Sequence, residues 1–273
     1  MHGKGTGARR SLPNRLGEST LTTQEGFEGF KYSPVAMMPD VKVLKMGGQS
    51  IMDRGREALF PILDEVVQAK DQHKLLICCG GGTRARHVYS IAADLELPTG
   101  LLAALGGYVP RQNARMLQML LAKHGGLFIM HDDFEKLPLY FRLGCIPIMT
   151  GMPPFGYWEK PSEGGRIPEH RTDAGVFLTA EVLGSPRAIF IKDEAGLHED
   201  DPKKNKSAKH IPRITAKELL ALDLPDLVIE RVVIQYLTRA RYCTELQIIN
   251  GLERGMLSRA LKGEDVGTII SKG

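Results

Sequence analysis

The stretch VKVLKMGGQS, from Val41 to Ser50, decides the fold, because a short apolar and β-branched run ends directly in two glycines. The same arrangement returns in KLLICCGGGT, from Lys74 to Thr83. Between these runs, apolar residues recur at three- and four-residue steps, namely Ala58, Leu59, Ile62, Leu63, Val66 and Val67. Such spacing is typical of a helix that covers a sheet. The order of strand, helix and strand predicts a parallel βαβ unit with a right-handed crossover.

The rest of the chain continues this alternation of strands and helices. Further strands are predicted at Leu127–Met130, Cys145–Met149, Ala188–Lys192, Glu245–Asn250 and Gly267–Ile270. Further helices are predicted at Arg84–Glu96, Gln112–His124, Thr172–Leu183 and Leu227–Arg241. Residues 152–170 are rich in Pro, Gly and aromatic residues and indicate a long irregular loop. The whole pattern predicts an α/β fold with a mainly parallel sheet.

The composition fits one globular domain with an extension. The chain has 273 residues, of which 42% are hydrophobic and 25% charged, and this is enough to bury a sizeable core. Residues 1–38 mix Gly, Ser, Thr and Pro with charges and show no sustained period. We therefore predict an N-terminal extension over 1–38 that contacts a neighbouring subunit, followed by a single domain over 39–273.

Charge, hydropathy and cysteine usage exclude several classes of function. The net charge of +4 is too small to predict a nucleic-acid partner. The longest apolar run, 97–109, contains Pro98, Gly100, Gly106 and Gly107, so we predict no contact with a membrane. The four cysteines show no CxxC spacing, and the N-terminus has no apolar signal region. A cytoplasmic protein with reduced, buried thiols is the expectation.

The first candidate site lies where the strand that begins at Val41 ends. Lys45 can neutralise phosphate oxygens, and Gly47 and Gly48 let backbone amides approach an anion closely. The spacing matches neither a Walker A loop nor a GxGxxG fingerprint. An ordinary glycine turn is the alternative interpretation of this motif taken alone.

The second candidate site follows the strand that begins at Lys74. Gly81 and Gly82 lead into a helix whose first turn carries Arg84 and Arg86, an arrangement that directs amides and guanidinium groups at an anion. The alternative is a strand-to-helix turn with solvated arginines. Because ligands bind at the carboxyl ends of strands in open α/β sheets, two glycine loops at neighbouring strand ends favour a phosphate site.

Two further motifs carry charged residues that suit nucleotide chemistry. Asp173 opens a predicted helix, where Thr172 or Asp173 would serve as the N-cap, or where Asp173 would hold magnesium-bound phosphate. Lys192 and Asp193 leave another predicted strand, where the lysine would bridge phosphates at the transferring end. A turn with a solvated charge run is the alternative for the second motif.

These motifs, taken in order, resemble the amino-acid kinase family, which includes uridylate kinase and carbamate kinase. The resemblance covers roughly residues 40–273 and is carried by KMGGQS at 45–50, TRARH at 83–87, RTDAG at 171–175 and GEDVGT at 263–268. It implies that the fold is a three-layer αβα sandwich and that the protein uses ATP and Mg²⁺. Catalytic roles would fall to Lys45, Asp173 and Lys192. The phosphates would be bound by Lys45, Gly47, Gly48, Gly81, Gly82, Arg86, Lys192 and Asp193, and magnesium by Asp173.

Within that family the likeness is greatest to members that store molybdenum. It implies a hexameric cage, built with itself or with an alpha-like subunit, in which ATP hydrolysis drives molybdate into polyoxomolybdate clusters. His131, beside two aspartates, is the single best candidate for a cluster contact. The chain departs from the family pattern by the acidic pair Glu199 and Asp200 and by Gln235 in the late helix. A uridylate kinase and a cage subunit that binds ATP without hydrolysis remain the alternatives.

Overall fold

In the computed structural model, which describes residues 35–163, 165–200, 205, 207–224 and 227–273, strand β1 (Val41–Met46) lies at the centre of an eight-stranded sheet. Its neighbours are β2 (Lys74–Cys79) and β5 (Arg187–Lys192), both parallel to it. The other strands are β3 (Gly126–Phe128), β4 (Ile146–Thr150), β6 (Leu197–His198), β7 (His210–Ile211), β8 (Arg213–Thr215), β9 (Glu245–Asn250) and β10 (Thr268–Ser271). The order across the sheet is β3-β4-β2-β1-β5-β9-β10-β8.

The sheet is mainly parallel, as the sequence predicted. Strands β3, β4, β2, β1, β5 and β9 share one direction. Strand β10 reverses and pairs antiparallel with β9, with Thr268 opposite Ile248, and β8 runs parallel to β10. The short strands β6 and β7 form a separate antiparallel hairpin.

Helices cover both faces of the sheet and make the predicted three-layer sandwich. On one face α1 (Arg56–Ala69), α3 (Thr99–Leu120) and α8 (Met256–Leu261) pack on even-numbered β1 residues such as Leu44. On the other, α5 (Thr172–Leu183), α6 (Ala216–Leu222) and α7 (Arg231–Leu237) pack on odd-numbered ones such as Val43. The remaining helices are α2 (Thr83–Asp94) and α4 (Leu137–Arg142). Because successive residues of a strand point to opposite faces, each strand contributes to both cores.

Helix α3 differs most from the sequence prediction, which began a helix only at Gln112. The glycines and prolines before that residue indicated a break, yet the helix begins at Thr99 and includes Pro110. A Cβ at Gly106 would overlap the ring of Tyr89 on α2. Close packing of α2 against α3 therefore requires glycine there, and this tertiary contact outweighs the poor helix propensity.

Other boundaries differ less. Helix α7 is shorter than the predicted Leu227–Arg241, and the short helices α4, α6 and α8 were not predicted. The loop over 152–170 was expected to be irregular, and its described residues, which omit 164, include one 3₁₀ turn at Gly156–Trp158. None of the helices in the described ranges is both long and apolar enough to cross a lipid bilayer.

The four cysteines are free thiols, in agreement with the expectation from their spacing. Cys78, Cys79 and Cys243 are buried, and burial raises the pKa of the Cys78 thiol to about 12. Of the predicted extension, residues 1–34 lie outside the described residues. Met38 is buried in the core, where its amide donates a hydrogen bond to the carbonyl of Leu183.

Candidate functional site

A cavity of about 590 Å³ opens at the carboxyl ends of β1, β2 and β5, the edge at which parallel sheets usually bind ligands. The structure brings nine of the sequence-selected residues to its walls: Lys45, Gly47, Gly48, Gly81, Gly82, Arg86, Asp173, Lys192 and Asp193. Helices α2 and α3 form the wall beside β2. Strand β6 and residues 227–230 form the wall beside β5.

Three charged side chains meet at the centre of this cavity. Lys45, at the end of β1, is 5% exposed and pairs with Asp173 at the start of α5. Lys192, at the end of β5, places its Nζ 3.3 Å from both carboxylate oxygens of Asp173. Because β1 and β5 are adjacent parallel strands, their ends present both ammonium groups to one carboxylate. The result is a buried cluster with one more positive than negative charge.

The environment of this cluster shifts the protonation of its members. Burial opposes the charge on Asp173, but Lys192 and Lys45 outweigh that effect and hold the pKa of Asp173 well below its usual range. Burial, assisted by repulsion from Lys45, lowers the pKa of Lys192 to about 8 despite the attraction of Asp173. Lys192 therefore changes charge near pH 8.

The two glycine loops touch each other at the cavity floor. A Cβ on Gly48 would overlap the amide nitrogen of Gly82 and lie 2.7 Å from its Cα. Gly82 itself has φ +74°, in the left-handed region that favours glycine. Within the described part of the chain, no hydrogen bond occupies the amides of Gly48, Gly81 and Gly82. These N–H groups belong to residues that line the cavity and are therefore available as hydrogen-bond donors.

Helix α5 is capped in a way that the sequence did not reveal. Neither Thr172 nor Asp173 occupies the N-cap position, which belongs to Arg171, and no side chain of the helix caps it. The carboxylate of Glu230 instead accepts hydrogen bonds from the amides of Arg171, Asp173 and Ala174. The N-cap interpretation of Asp173 is thus wrong, because its carboxylate is bound by lysines and its helix is capped from another segment.

Glu230 is the functional residue that sequence reasoning missed. It lines the cavity, and burial together with the nearby Asp173 carboxylate raises its pKa. Gln235, which the sequence resemblance marked as a departure from the family pattern, is exposed on α7 and outside the cavity lining. No local pattern marks this residue, because the amides that it contacts lie 56 to 59 residues away in sequence.

His131 lies apart from this cavity. It begins a 3₁₀ turn after β3 and is half-buried, with its ring 6.1 Å from that of Phe134. It also forms a hydrogen bond to the backbone of Met152, and burial lowers the pKa of its imidazole. The structure therefore does not bring His131 together with the other candidate residues.

The structure offers little support for a magnesium ion held directly by Asp173. Both oxygens of Asp173 are already bound by lysine ammonium groups, and Oδ2 also accepts the amide of Glu230. Within the described ranges, no three His, Cys, Asp or Glu side chains are grouped so that they could hold a metal ion. A magnesium ion held directly by Asp173 would have to displace these ammonium groups.

The mainly parallel sheet, with paired glycine loops and buried lysines at its carboxyl edge, defines the class as an α/β protein with a candidate phosphate site. The chain belongs to the amino acid kinase family, whose model matches residues 40–235. The resemblance found in the sequence is thereby confirmed.

Individual relatives show which members of this family the chain resembles. The chain is 49% identical to the molybdenum storage protein subunit beta of Azotobacter vinelandii (strain DJ), over 86% of this chain and 87% of that one. It is 26% identical to the uridylate kinase of Thermococcus kodakarensis, over 84% and 98% of the two chains. The structure of UMP kinase from Bacillus anthracis superposes with a TM-score of 0.67 at 20% identity, covering 85% of this chain and 96% of that one. This last likeness concerns the fold alone.

Proposed function

We propose that this protein is a molybdenum-storage subunit that binds Mg-ATP in the cavity and uses ATP hydrolysis to deposit molybdate as polyoxomolybdate. The observation that carries the storage assignment is the 49% identity to a storage subunit over most of both chains, against 26% to a uridylate kinase. The buried Lys45–Asp173–Lys192 cluster supports the nucleotide part of the proposal. Molybdate is the cargo of this protein rather than its cofactor.

The cluster suits the stabilisation of charge on a transferring phosphoryl group. In hydrolysis, a water oxygen bonds to the γ-phosphorus, the bond to the β–γ bridging oxygen breaks, and ADP, phosphate and a proton leave. Lys45 and Lys192 would neutralise the oxygens that gain charge, and Asp173 would fix both ammonium groups. The free amides of the glycine loops would contact the same phosphates. Arg86 would lie on the side of the group that accepts the phosphoryl. Asp193, which pairs with Arg54, would lie at the nucleotide side.

The assembly that follows from this proposal is a cage in the cytoplasm. The relative is named as a beta subunit, which supports an oligomer with an alpha-like partner, and we propose a hexamer. The extension over 1–38 would pack on a neighbouring subunit, because its polar composition cannot form a core alone.

Uridylate kinase is the second candidate, since relatives with that name share the fold and the family. The two functions separate when purified protein is incubated with Mg-ATP and either molybdate or uridine monophosphate. If the protein stores molybdenum, the sample with Mg-ATP and molybdate, but without uridine monophosphate, should contain protein-bound molybdenum and release ADP. Uridine diphosphate formation without bound molybdenum would instead establish the kinase. Bound molybdenum without ADP release would identify a cage subunit that does not hydrolyse ATP.

Mg-ATP affinity is expected to fall as the pH rises above 8. The pKa of Lys192 is about 8 without nucleotide, and phosphates stabilise its ammonium form. Binding therefore takes up a proton above that pH, and the affinity should fall about tenfold for each pH unit. Isothermal titration between about pH 7 and about pH 9.5 measures this slope. Lys192→Arg stays charged throughout and should give a flat profile, whereas a flat profile for the unmodified protein would contradict the role of Lys192.

His131 is retained as the proposed contact to a molybdenum cluster. Its lowered pKa leaves the ring neutral near pH 7, and a neutral imidazole has a lone pair for a metal or its oxo groups. His131→Asn is expected to lower bound molybdenum without changing Mg-ATP affinity, because the residue does not line the cavity. His73→Asn is the control, because His73 precedes β2 at the amino ends of the parallel strands, whereas His131 follows β3 at their carboxyl ends. Equal molybdenum content in the two variants would exclude this role.

A further inference from the structure

Glu230 and Asp173 hold each other through reciprocal hydrogen bonds. The Glu230 carboxylate lies 3.1 Å from each of the amides of Arg171, Asp173 and Ala174. In return, the amide of Glu230 donates to Oδ2 of Asp173 at 3.2 Å. One residue at the start of α7 thus fixes both the backbone and the carboxylate of the residue that pairs with the two lysines.

This contact lies deep in the molecule and links distant parts of the chain. The side chain of Glu230 is 9% exposed, and it is 57 residues from Asp173 in sequence. Amides in the first turn of a helix need acceptors, and these usually come from a neighbouring Ser, Thr or Asp. In α5 the acceptor comes instead from Glu230, the residue just before α7, and the side chain of Asp173 is thereby left to contact Lys45 and Lys192.

We propose that Glu230 is a positioning residue that sets the place of Asp173 and, through it, the charge of Lys192. The inference rests on the proposed binding of ATP phosphates by the lysine pair. Glu230 need not touch the nucleotide for this role. Three charged groups face Lys192, namely Asp173 on α5, Lys45 on β1 and Glu230 before α7. Arg171, Asp173 and Lys45 face Glu230 in turn.

Two substitutions separate positioning from simple charge. Glu230→Asp keeps the negative charge but is shorter by one methylene group, so it cannot reach the three amides without moving the backbone. Glu230→Gln keeps the length but removes the charge. If Glu230 positions Asp173, both variants weaken the contacts that hold the Asp173 backbone, although the amide of residue 230 still reaches Oδ2, and Lys192 loses part of the attraction that supports its charged form.

The readout is the titration of Lys192 in the nucleotide-free protein, followed by NMR of ¹³C-labelled lysine side chains and assigned with Lys192→Arg. We expect the Lys192 pKa to fall in both variants by about one unit, and Mg-ATP affinity at pH 8 to fall by about fivefold, because the charged fraction of Lys192 at that pH falls from about one half to about one eleventh. Glu65→Asp is the matched control, since Glu65 caps α8 by accepting from the amides of Gly255 and Ser258, away from the cavity. It should lower thermal stability and leave Lys192 unchanged.

The possible results have distinct meanings. A native Lys192 titration in Glu230→Asp, with a shift only in Glu230→Gln, would show that charge alone acts and would overturn the positioning role. If both variants are less stable but Lys192 titrates as in the unmodified protein, Glu230 acts only as a cap of α5. This result would also overturn the positioning role. Failure of the unmodified protein to bind Mg-ATP would refute the proposed function, while the Lys192 titration would still decide the positioning role.

Discussion

Replacing Lys45 by methionine is expected to lower ATP turnover and ATP-dependent molybdenum uptake by about 10²–10³-fold. The loss is large because Lys45 presents a buried positive charge at the end of the central strand, where the transferring phosphoryl group would gain negative charge. Methionine fills a similar volume but supplies no charge. Asp173 keeps Lys192 and the amide of Glu230 as partners, so the carboxylate is not left without a partner.

The matched control for this substitution is Lys42→Met on the same strand. Lys42 is three residues away, so its side chain points to the opposite face of the sheet, and it does not line the cavity. Activity should be retained in Lys42→Met and lost in Lys45→Met, with both proteins folded by circular dichroism. Native ATP turnover and molybdenum uptake in a folded Lys45→Met protein would contradict the assigned role.

Replacing Gly48 by alanine is expected to reduce Mg-ATP affinity by at least about tenfold and to destabilise the fold by about 1–3 kcal/mol. The added Cβ would lie 2.7 Å from the Cα of Gly82 and 2.8 Å from the carbonyl carbon of Gly81. Both are backbone atoms of the other glycine loop, so the two loops must separate. Separation would move apart the amides that face the cavity.

Gly107→Ala provides the comparison for the Gly48 substitution. A Cβ at Gly107 would meet only the Cγ of Met152, at 3.8 Å, and the residue lies within α3. Since alanine favours helix over glycine, this variant should bind Mg-ATP normally and gain about 0.5–1 kcal/mol of stability. Titration calorimetry measures the Mg-ATP affinity of both variants, and thermal melting measures their stability. Unchanged affinity in Gly48→Ala would show that the contact between the loops does not form the binding site.

Much of the central sheet could be predicted because its strands leave a local signature. The bounds of β1, β2, β9 and α5 agree with the sequence prediction residue for residue. Strands buried on both faces appear as continuous apolar runs, and the glycines after β1 and β2 mark where each ends. The direction of β10 left no such mark, because strand direction depends on how the chain returns to the sheet.

Predictions failed where distant contacts override local preference. Helix α3 includes Gly106 and Pro110, which reduced the helix signal, and its formation depends on the ring of Tyr89 from another helix. Glu230 was missed for a similar reason, since its three acceptor contacts lie in a segment far away in sequence. The charged motifs were found because they directly follow apolar runs that predict strands, and open α/β sheets bind ligands at the carboxyl ends of their strands.

The storage proposal itself is tested most directly by elemental analysis of the full-length protein, purified from cells supplied with molybdate. The account predicts several molybdenum atoms per chain, and a much lower content in the Lys45→Met variant purified in the same way. Protein that carries no molybdenum, and that forms uridine diphosphate from uridine monophosphate and ATP, would contradict storage and establish a kinase.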